Sequence, residues 1–236
     1  MPATMYDAPF YIGSAKLKDM VALITGGDSG IGRSVAGLFA REGADIAIVH
    51  LDEDEDAAQT AAAVEKEAGR CLVIKGDVKE PAFCRDAVER TVAEFEKLDV
   101  LVNNSAFQVH TYDIADLTED HFNETLKTNL YGYFHMARAA VPHLRNGSAI
   151  INTGSVTGFD GEKTLLDYSM TKGGIHAFTK SLASQLIPER HPCQLRFARP
   201  CLVDAQSERQ GAGRGYRIRL RHADEAPGHG PQNEKD

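Results

Sequence analysis

Tyr168 and Lys172 stand four residues apart in a segment whose apolar side chains have helical spacing. Residues at this separation share one face of a helix, so the phenol and the ammonium would point to the same side. A tyrosine ionises at about pH 10, and a nearby cation lowers that pKa because it stabilises the phenolate. Ser155 precedes Tyr168 by thirteen residues and could hydrogen-bond a substrate oxygen. The three residue types predict acid–base chemistry on an oxygen atom, although a Tyr-x-x-x-Lys pair alone is also typical of an exposed helix.

A second informative segment runs from Met20 to Gly32 and reads Met-Val-Ala-Leu-Ile-Thr-Gly-Gly-Asp-Ser-Gly-Ile-Gly. Its apolar run, Val21 to Ile24, predicts a short buried strand, and residues 34–40 have the apolar spacing of a helix. A glycine turn between a strand and a helix N-terminus predicts a phosphate-binding cradle, because unpaired N–H groups and the positive helix end face the anion. Glycine also allows positive φ and close approach to a pyrophosphate. An ordinary tight turn is the alternative.

Two other motifs overlap this glycine segment. A P-loop requires Lys and then Ser or Thr after its last glycine, but Arg33 stands there. The run from Gly27 to Gly30, Gly-Asp-Ser-Gly, resembles the nucleophile segment of chymotrypsin-like proteases. That interpretation needs an all-β chain with an upstream His and Asp, so a dinucleotide-binding turn is favoured.

Composition limits the classes of function. A chain of 236 residues with a net charge of −8 can form one α/β domain, and its acidity disfavours a nucleic-acid surface. The apolar runs are shorter than the roughly 20 residues of a membrane helix, and residues 1–18 do not resemble a signal peptide. The four cysteines and nine histidines lack metal-type spacing, which predicts reduced thiols and no metal site. We expect a cytoplasmic protein that contacts neither nucleic acid nor membrane.

Strand and helix patterns alternate along the chain. Strands are predicted at residues 21–24, 44–50, 71–75, 99–102 and 148–152, with helices at about 34–40, 52–67, 81–97, 117–144 and 167–186. Thr118 is the expected cap of the fourth helix. Strict alternation predicts an α/β fold of the Rossmann type, a doubly wound parallel sheet with right-handed crossovers. Ligands bind outside the carboxyl ends of such strands, where the glycine turn, Asp77, Asn103 to Ser105 and Ser155 are expected.

Together these motifs resemble the short-chain dehydrogenase/reductase family from residue 18 to about residue 190. The matching residues, in the family's order, are Thr25-Gly-x-x-x-Gly-Ile-Gly32, Asp77, Asn103-Asn104-Ser-Ala, Asn129, Ser155 and Tyr168-x-x-x-Lys172. Residues 11–18 and the Gly-Gly-Asp-Ser-Gly wording resemble the bacterial branch labelled general stress or aldehyde-reductase-like. Ser105 departs from the small Ala that is usual in the family.

The resemblance implies an NAD(P)-dependent oxidoreductase that interconverts an alcohol and a carbonyl in a small-molecule substrate. It makes Tyr168 the acid–base group, while Lys172 lowers the Tyr168 pKa and holds the nicotinamide ribose. It makes Ser155 orient the carbonyl and Asn129 hold a water of a proton relay. The cofactor-binding residues that it implies are Gly26, Asp28, Ser29, Gly30, Ile31, Gly32, Asp77, Val78, Asn104, Tyr168 and Lys172. Without the resemblance, Asn129 could be an exposed helix residue and Asp77 could cap a turn.

The choice between NAD and NADP stays open in the sequence. An acidic residue at the end of the second strand would accept from the ribose 2′-hydroxyl of NAD, but His50 stands there and Asp52 follows two residues later. Arg33 could reach a 2′-phosphate, whereas the acidic run from Asp52 to Asp56 would repel one. The acidic run favours NAD.

The pattern changes abruptly after Arg190. Residues 191–236 hold seven Arg and one Lys, against eight Arg and ten Lys before them. Permitted codons for residues 190–204, read one base later, can encode Gly-Ile-Arg-Val-Asn-Cys-Val-Ser-Pro-Gly-Pro-Val-Trp-Ser-Thr, which supplies the family's missing sixth strand and Pro-Gly segment. We therefore predict a one-base frameshift, natural or from sequencing. Resequencing across codon 190 tests it, and an error-free gene encoding an active protein with this tail would exclude it.

Three segments follow from this interpretation: a leader at 1–18, a dinucleotide-binding catalytic domain at 19–190 and an aberrant, disordered tail at 191–236. We expect missing C-terminal strands, an unpaired fifth strand, poor solubility and weak turnover. A divergent disordered extension is the alternative for the tail, and an RNA-binding Arg/Gly tail is disfavoured because its aromatic interleaving is limited to Tyr216. The alternative function is a non-catalytic dinucleotide-binding remnant or regulator. Intact relatives are expected to be homo-oligomers through the helices that bear Asn129 and Tyr168.

Overall fold

A computed structural model of the chain describes residue 8, residues 10–186 and the backbone of residues 197–198. The strands in this part are β1 (Val21–Thr25), β2 (Asp45–His50), β3 (Cys71–Lys75), β4 (Val100–Asn103), β5 (Ala149–Thr153) and β6 (Phe197–Ala198). The α-helices in the same part are α1 (Gly30–Arg41), α2 (Asp54–Lys66), α3 (Pro81–Phe95), α4 (Glu119–Leu126), α5 (Gly132–Ala140), α6 (Thr157–Asp160) and α7 (Leu166–Leu186). The rest of the predicted tail lies outside the described residues.

The strands form one parallel sheet in the order β3-β2-β1-β4-β5-β6. Leu23 in β1 lies opposite Ala47 of β2 on one side and opposite Leu101 of β4 on the other. The chain therefore runs outward from β1 to β3 and then returns to continue from β4 in the opposite direction. This order is that of the doubly wound Rossmann type, which confirms the predicted fold class.

Helices cover both faces of the sheet, and the strands alternate their side chains between the two layers. In β1, Ala22 and Ile24 pack with Ala36 of α1 and Val64 of α2. Leu23 belongs instead to a second core cluster, in which α3, α5 and α7 also take part. Because both faces are buried, β1 is apolar at four consecutive positions rather than at every second one.

The fifth strand is not fully an unpaired edge. Its last residues, Asn152 and Thr153, lie opposite Phe197 and Ala198 of the two-residue β6. The prediction that β5 is an unpaired edge is therefore wrong at its C-terminal end. There, the residues that precede Ser155 pair with the backbone of β6.

The predicted helix at 117–144 is divided into several segments. Thr118 caps α4 as expected, with its hydroxyl accepting from the His121 N–H at 3.2 Å. Residues 127–131 then form a π-helical segment before α5, and residues 141–143 form a turn of 3₁₀-helix. The apolar spacing of the sequence did not reveal this change, because a single π turn shifts the register by only one residue.

Part of the expected leader packs against the domain. Glu42, just after α1, accepts hydrogen bonds from the backbone N–H of Ser14 at 3.0 Å and of Lys16 at 2.8 Å. The Tyr11 hydroxyl donates to the same carboxylate, and the Leu17 side chain packs on the core layer beside α1. Residues 11–17 therefore hold the far end of α1 in place.

Candidate active site

The central strands β1 and β4 lie side by side at the point where the strand order of the sheet reverses. The Thr25 hydroxyl at the end of β1 accepts from the backbone N–H of Asn104 at 2.9 Å and of Ser105 at 3.1 Å. The Asn104 side chain donates to the Gly26 carbonyl at 3.1 Å and accepts from the Thr153 hydroxyl at 3.2 Å. These bonds tie the ends of β1, β4 and β5 together, and crevices at such reversals bind ligands in this class of fold.

The glycine turn has the backbone that a phosphate cradle needs. Gly26 and Gly30 adopt φ of +61° and +52°, a region that other residues rarely occupy. A side chain at Gly32 would overlap the Gly26 carbonyl oxygen, so α1 lies against the turn only because that position is glycine. The Ser29 side chain does not cap α1, and the first turn carries no acidic residue. Its N–H groups and positive dipole are thus suited to an external anion, which fits the pyrophosphate of a dinucleotide.

A groove of about 370 Å³ opens beside this turn. It runs across the ends of β1, β2, β3 and β4, and seven of the expected cofactor-binding residues line it. These seven are Gly26, Asp28, Ser29, Ile31, Asp77, Val78 and Asn104. Gly30 and Gly32 shape the turn without lining the groove, and Tyr168, Lys172, Ser155 and Asn129 are not part of its wall.

The groove is also lined by Lys79 and Glu124, which the sequence did not indicate. Lys79 donates to both oxygens of Glu124 at 2.6 Å and 2.8 Å, and its ammonium lies 3.3 Å from Asp77. The Asp77 carboxylate accepts from the Lys79 backbone N–H at 2.8 Å, which is the turn-capping role that was the alternative for this residue. Asp77 therefore closes a turn and lines the groove at once. His50 and Glu53 line the groove where β2 ends.

Ser155 and Tyr168 come together at the carboxyl end of β5. The Ser155 hydroxyl oxygen accepts from the Thr157 N–H at 3.2 Å and from the Thr157 hydroxyl at 3.0 Å. This leaves the serine proton available for another oxygen, and Ser155 is close enough to Tyr168 to lower the pKa of its phenol. The fold therefore brings Ser155 near Tyr168, which follows it by thirteen residues in the sequence.

Lys172 lies below this pair, in the interior of the protein. Its side chain is 1% exposed, and its ammonium donates to the Thr153 carbonyl at 2.8 Å and to the Tyr133 hydroxyl at 3.4 Å. The ammonium is 5.4 Å from the centre of the Tyr168 ring. Burial lowers the pKa of Lys172 from 10.5 to about 7, because the charged form loses its hydration.

Burial raises the Tyr168 pKa above its ordinary value, and the hydrogen bond with Ser155 opposes part of this rise. The direction is opposite to the lowering that we expected from the Tyr-x-x-x-Lys spacing. The physical reason is that both groups are removed from water, which favours the neutral phenol and the neutral amine. The spacing correctly predicted that the side chains meet, but not how deeply they are buried.

Asn129 is fully buried in the π-helical segment, which excludes the alternative of an exposed helix residue. Its amide oxygen accepts from the Phe107 N–H at 2.7 Å, and its amide nitrogen donates to the Phe107 carbonyl at 3.0 Å. The same nitrogen donates to the Thr171 hydroxyl at 3.1 Å, and Thr171 in turn donates to the Tyr168 carbonyl at 2.7 Å. Asn129 thus connects the loop after β4 to the helix that carries Tyr168.

Within residues 10–186, no group of three or more His, Cys, Asp or Glu side chains is arranged to hold a metal ion. None of the helices in this part of the chain has the length and apolarity needed to cross a membrane.

The parallel sheet has a strand order that reverses between β1 and β4, and the glycine cradle lies at this reversal. With the cluster of Ser155, Tyr168 and Lys172, these features define a Rossmann-type protein with a polar centre beside its nucleotide groove. The sequence profile of the short chain dehydrogenase family matches residues 20–210. The chain therefore belongs to the short chain dehydrogenase family.

Relatives and solved structures agree with this assignment. The chain is 50% identical over 188 residues to general stress protein 39 of Bacillus subtilis, an alignment that covers 80% of this chain and 66% of the relative. It thus spans slightly less than two thirds of that relative's length. A short chain dehydrogenase from Burkholderia cenocepacia in complex with NADP superposes with a TM-score of 0.74 at 32% identity, over 77% of this chain and 74% of that one. NAD⁺-bound xylitol dehydrogenase superposes with a TM-score of 0.72 at 28% identity, over 78% and 70% of the two chains.

Proposed function

We propose that the chain binds NAD or NADP in the groove and interconverts an alcohol and a carbonyl, with Tyr168 as the acid–base group. The observation that carries the proposal is the position of Tyr168: the ammonium of the buried Lys172 lies 5.4 Å from its ring and donates to the Thr153 carbonyl, at the same sheet edge as the glycine cradle. The similarity to a dehydrogenase that binds NADP and to a xylitol dehydrogenase that binds NAD⁺ supports it.

The glycine turn would hold the pyrophosphate, because the N–H groups of the first turn of α1 are not capped by Ser29. Asp77 and Val78 line the part of the groove at the end of β3 and would contact the adenine, and Asn104 would line the groove floor at the end of β4. The bound nicotinamide supplies or accepts the hydride. The residues of the chain then handle the proton and the orientation of the substrate.

Ser155 would donate a hydrogen bond to the substrate oxygen, since its own oxygen already accepts two hydrogen bonds from Thr157. Tyr168 would give its proton to that oxygen during carbonyl reduction and take it back during alcohol oxidation. Its raised pKa keeps the phenol protonated near neutral pH, which favours the reducing direction. Oxidation should therefore become faster as the pH rises into the alkaline range.

Lys172 would act beneath the phenol, because its ammonium is close to the Tyr168 ring and is held by the Thr153 carbonyl. When protonated, it would favour the phenolate and so assist the transfer of the proton. Asn129 would fix the position of α7 through Thr171, one helical turn from Tyr168. A role for Asn129 in holding a relay water remains a prediction.

The test is a comparison of Tyr168→Phe with Tyr131→Phe, a control at an exposed tyrosine on the neighbouring helical segment. NAD(P)H absorbance is followed over a panel of small aldehydes, ketones, sugars and polyols, and dinucleotide affinity is measured by fluorescence. We expect Tyr168→Phe to lower turnover by about a hundredfold or more with unchanged affinity, and Tyr131→Phe to change neither. Equal turnover of Tyr168→Phe and the parent chain would contradict the proposal.

The same experiment decides the alternative function. Ser155, Tyr168 and Lys172 are not part of the groove wall, so a protein that binds the dinucleotide without turnover is the second candidate. Dinucleotide binding with no turnover on the whole panel would support a binding remnant or regulator.

A further inference from the structure

Arg33 follows the last glycine of the turn, but its side chain does not extend into the groove. It is 14% exposed and runs from α1 to the N-terminal part of α2. One terminal nitrogen donates to the Asp56 carboxylate at 2.8 Å and to the Asp56 carbonyl at 3.0 Å. The other donates to the Gln59 side chain at 3.3 Å. All three nitrogens of the guanidinium therefore have partners within the protein once the Nε contacts are included.

The glycine turn accepts two Arg33 hydrogen bonds at a single atom. The carbonyl oxygen of Asp28 accepts from Arg33 Nε at 3.0 Å and from Arg33 Nη2 at 2.6 Å. It also accepts from the hydroxyl of Thr60 at 2.9 Å, and Thr60 is completely buried. The single Nε hydrogen is shared between this carbonyl and the Thr60 hydroxyl oxygen, so the main donors are Arg33 Nη2 and the Thr60 hydroxyl. A charge-assisted bond and a buried hydroxyl bond together hold the carbonyl more firmly than an ordinary backbone contact.

The orientation of that carbonyl determines the orientation of the next N–H group. The peptide between Asp28 and Ser29 is planar, and its C=O and N–H point in opposite directions. With the carbonyl directed toward Arg33 and Thr60, the Ser29 N–H is directed away from α2. Asp28 and Ser29 both line the groove.

We propose that Arg33 and Thr60 are positioning residues of the phosphate cradle, and that Arg33 is not the receptor for a 2′-phosphate. They act through the Asp28–Ser29 peptide, which they hold in the orientation that presents the Ser29 N–H to the dinucleotide pyrophosphate. This inference rests on the proposed dinucleotide binding, but not on turnover. It replaces the sequence-based alternative in which Arg33 reaches a 2′-phosphate.

The test measures the Kd of NADH and of NADPH from nicotinamide fluorescence, for the full chain and for Arg33→Ala and Thr60→Val. We expect Arg33→Ala to raise both constants by the same factor of about ten, and Thr60→Val to raise both by about threefold, as expected for losing donors to one carbonyl. Adenosine, which has no pyrophosphate, is titrated by NMR, and its Kd should stay unchanged in both variants.

Arg41→Ala is the matched control. Arg41 lies on the same helix and makes the corresponding ion pair with Glu67 at 2.6 Å, at the other end of the α1–α2 pair. It should lower the melting temperature about as much as Arg33→Ala while leaving the NADH Kd unchanged. Thr60→Val keeps the test valid if Arg33→Ala does not fold.

Several results of these titrations would overturn the inference. A much larger loss of NADPH than of NADH affinity in Arg33→Ala would make Arg33 a phosphate ligand. Unchanged constants in both variants, or equal losses for adenosine and NADH, would show that neither residue positions the cradle. A parent chain that binds neither dinucleotide would overturn this inference together with the proposed function, whereas binding without turnover would contradict the proposed reaction alone.

Discussion

The N-termini of α1 and α2 lie at the ends of neighbouring strands, but they differ in the acidic residues of their first turns. The first turn of α1 has no acidic residue, and its cap residue Ser29 makes no side-chain cap. The first turn of α2 contains Asp54, Glu55 and Asp56. A helix N-terminus carries about half a positive charge and favours an anion nearby. The chain provides that anion for α2 and does not provide it for α1.

The surroundings of the two termini continue this contrast. Lys75 and Arg33 both pair with the acids of α2, at 2.7 Å from Asp54 and 2.8 Å from Asp56. The hydrogen bond with Lys75 lowers the Asp54 pKa, so this charge persists well below neutral pH. At α1 the groove begins instead. Of these two helix ends, the one without acidic residues of its own is the one that begins beside the groove.

The largest expected effect concerns the close approach of α1 to the turn. In Gly32→Ala the new methyl group would overlap the Gly26 carbonyl, and relieving the overlap must move the cradle. We expect NADH affinity to fall by about a hundredfold or more, or the chain not to fold.

Gly37→Ala is the control for this substitution, because a methyl group there meets nothing within 4 Å and the site is in the same helix. It should raise the free energy of unfolding by up to about 1 kcal/mol, since alanine favours a helix over glycine. An unchanged NADH affinity in Gly32→Ala would show that dinucleotide binding does not depend on the close approach of α1 to the glycine turn.

A carboxylate at the N-terminus of α1 would make it resemble α2. We expect Ser29→Asp to weaken NADH binding by about thirtyfold through repulsion of the pyrophosphate, with an unchanged or higher melting temperature because the acid caps the helix. Thr118→Asp is the control, since Thr118 caps α4 away from the groove. Undiminished NADH affinity in Ser29→Asp would mean that the phosphates bind elsewhere.

The smallest expected effect concerns a buried cation whose hydrogen-bond partners are uncharged. Arg33 is paired with Asp56, whereas the hydrogen-bond partners of Lys172 are the uncharged Thr153 and Tyr133. We expect Lys172→Met to raise the free energy of unfolding at pH 7 by about 1–2 kcal/mol, because the burial penalty exceeds the lost hydrogen bonds. Turnover should fall in the same variant.

The pH dependence gives the sign of this effect. The folded Lys172 has a pKa of about 7 against 10.5 unfolded, so the unfolded chain binds more protons between these values and the parent chain gains stability as the pH rises. The advantage of Lys172→Met in thermal unfolding should therefore shrink from pH 7 to pH 10. A constant advantage would contradict the burial account.

The sequence was sufficient for the features that depend on local chemistry. The strand-turn-helix at Val21 to Gly32, the cap at Thr118 and the shared helix face of Tyr168 and Lys172 follow from period, turn residues and helix geometry. Most of the expected cofactor residues do line the groove. Each of these features is fixed by residues close in sequence or by the rule that strand ends share one edge.

What the sequence did not give depends on contacts between distant elements. Arg33 is held by Asp56 and Thr60, whose proximity requires α1 and α2 to pack side by side. The direction of the Tyr168 pKa depends on burial, which is set by packing around α7 rather than by the spacing to Lys172. The π turn at Asn129 likewise reflects hydrogen bonds to Phe107 and Thr171.

The most direct test of the account is to follow the backbone amide resonances of the isotope-labelled chain during a titration with NADH. The account predicts large shifts for residues 29–32 at the start of α1 and small shifts for residues 54–57 at the start of α2. Shifts centred on α2, or no shift at residues 29–32 when NADH is bound, would contradict the claim that the unbalanced helix end is the dinucleotide site.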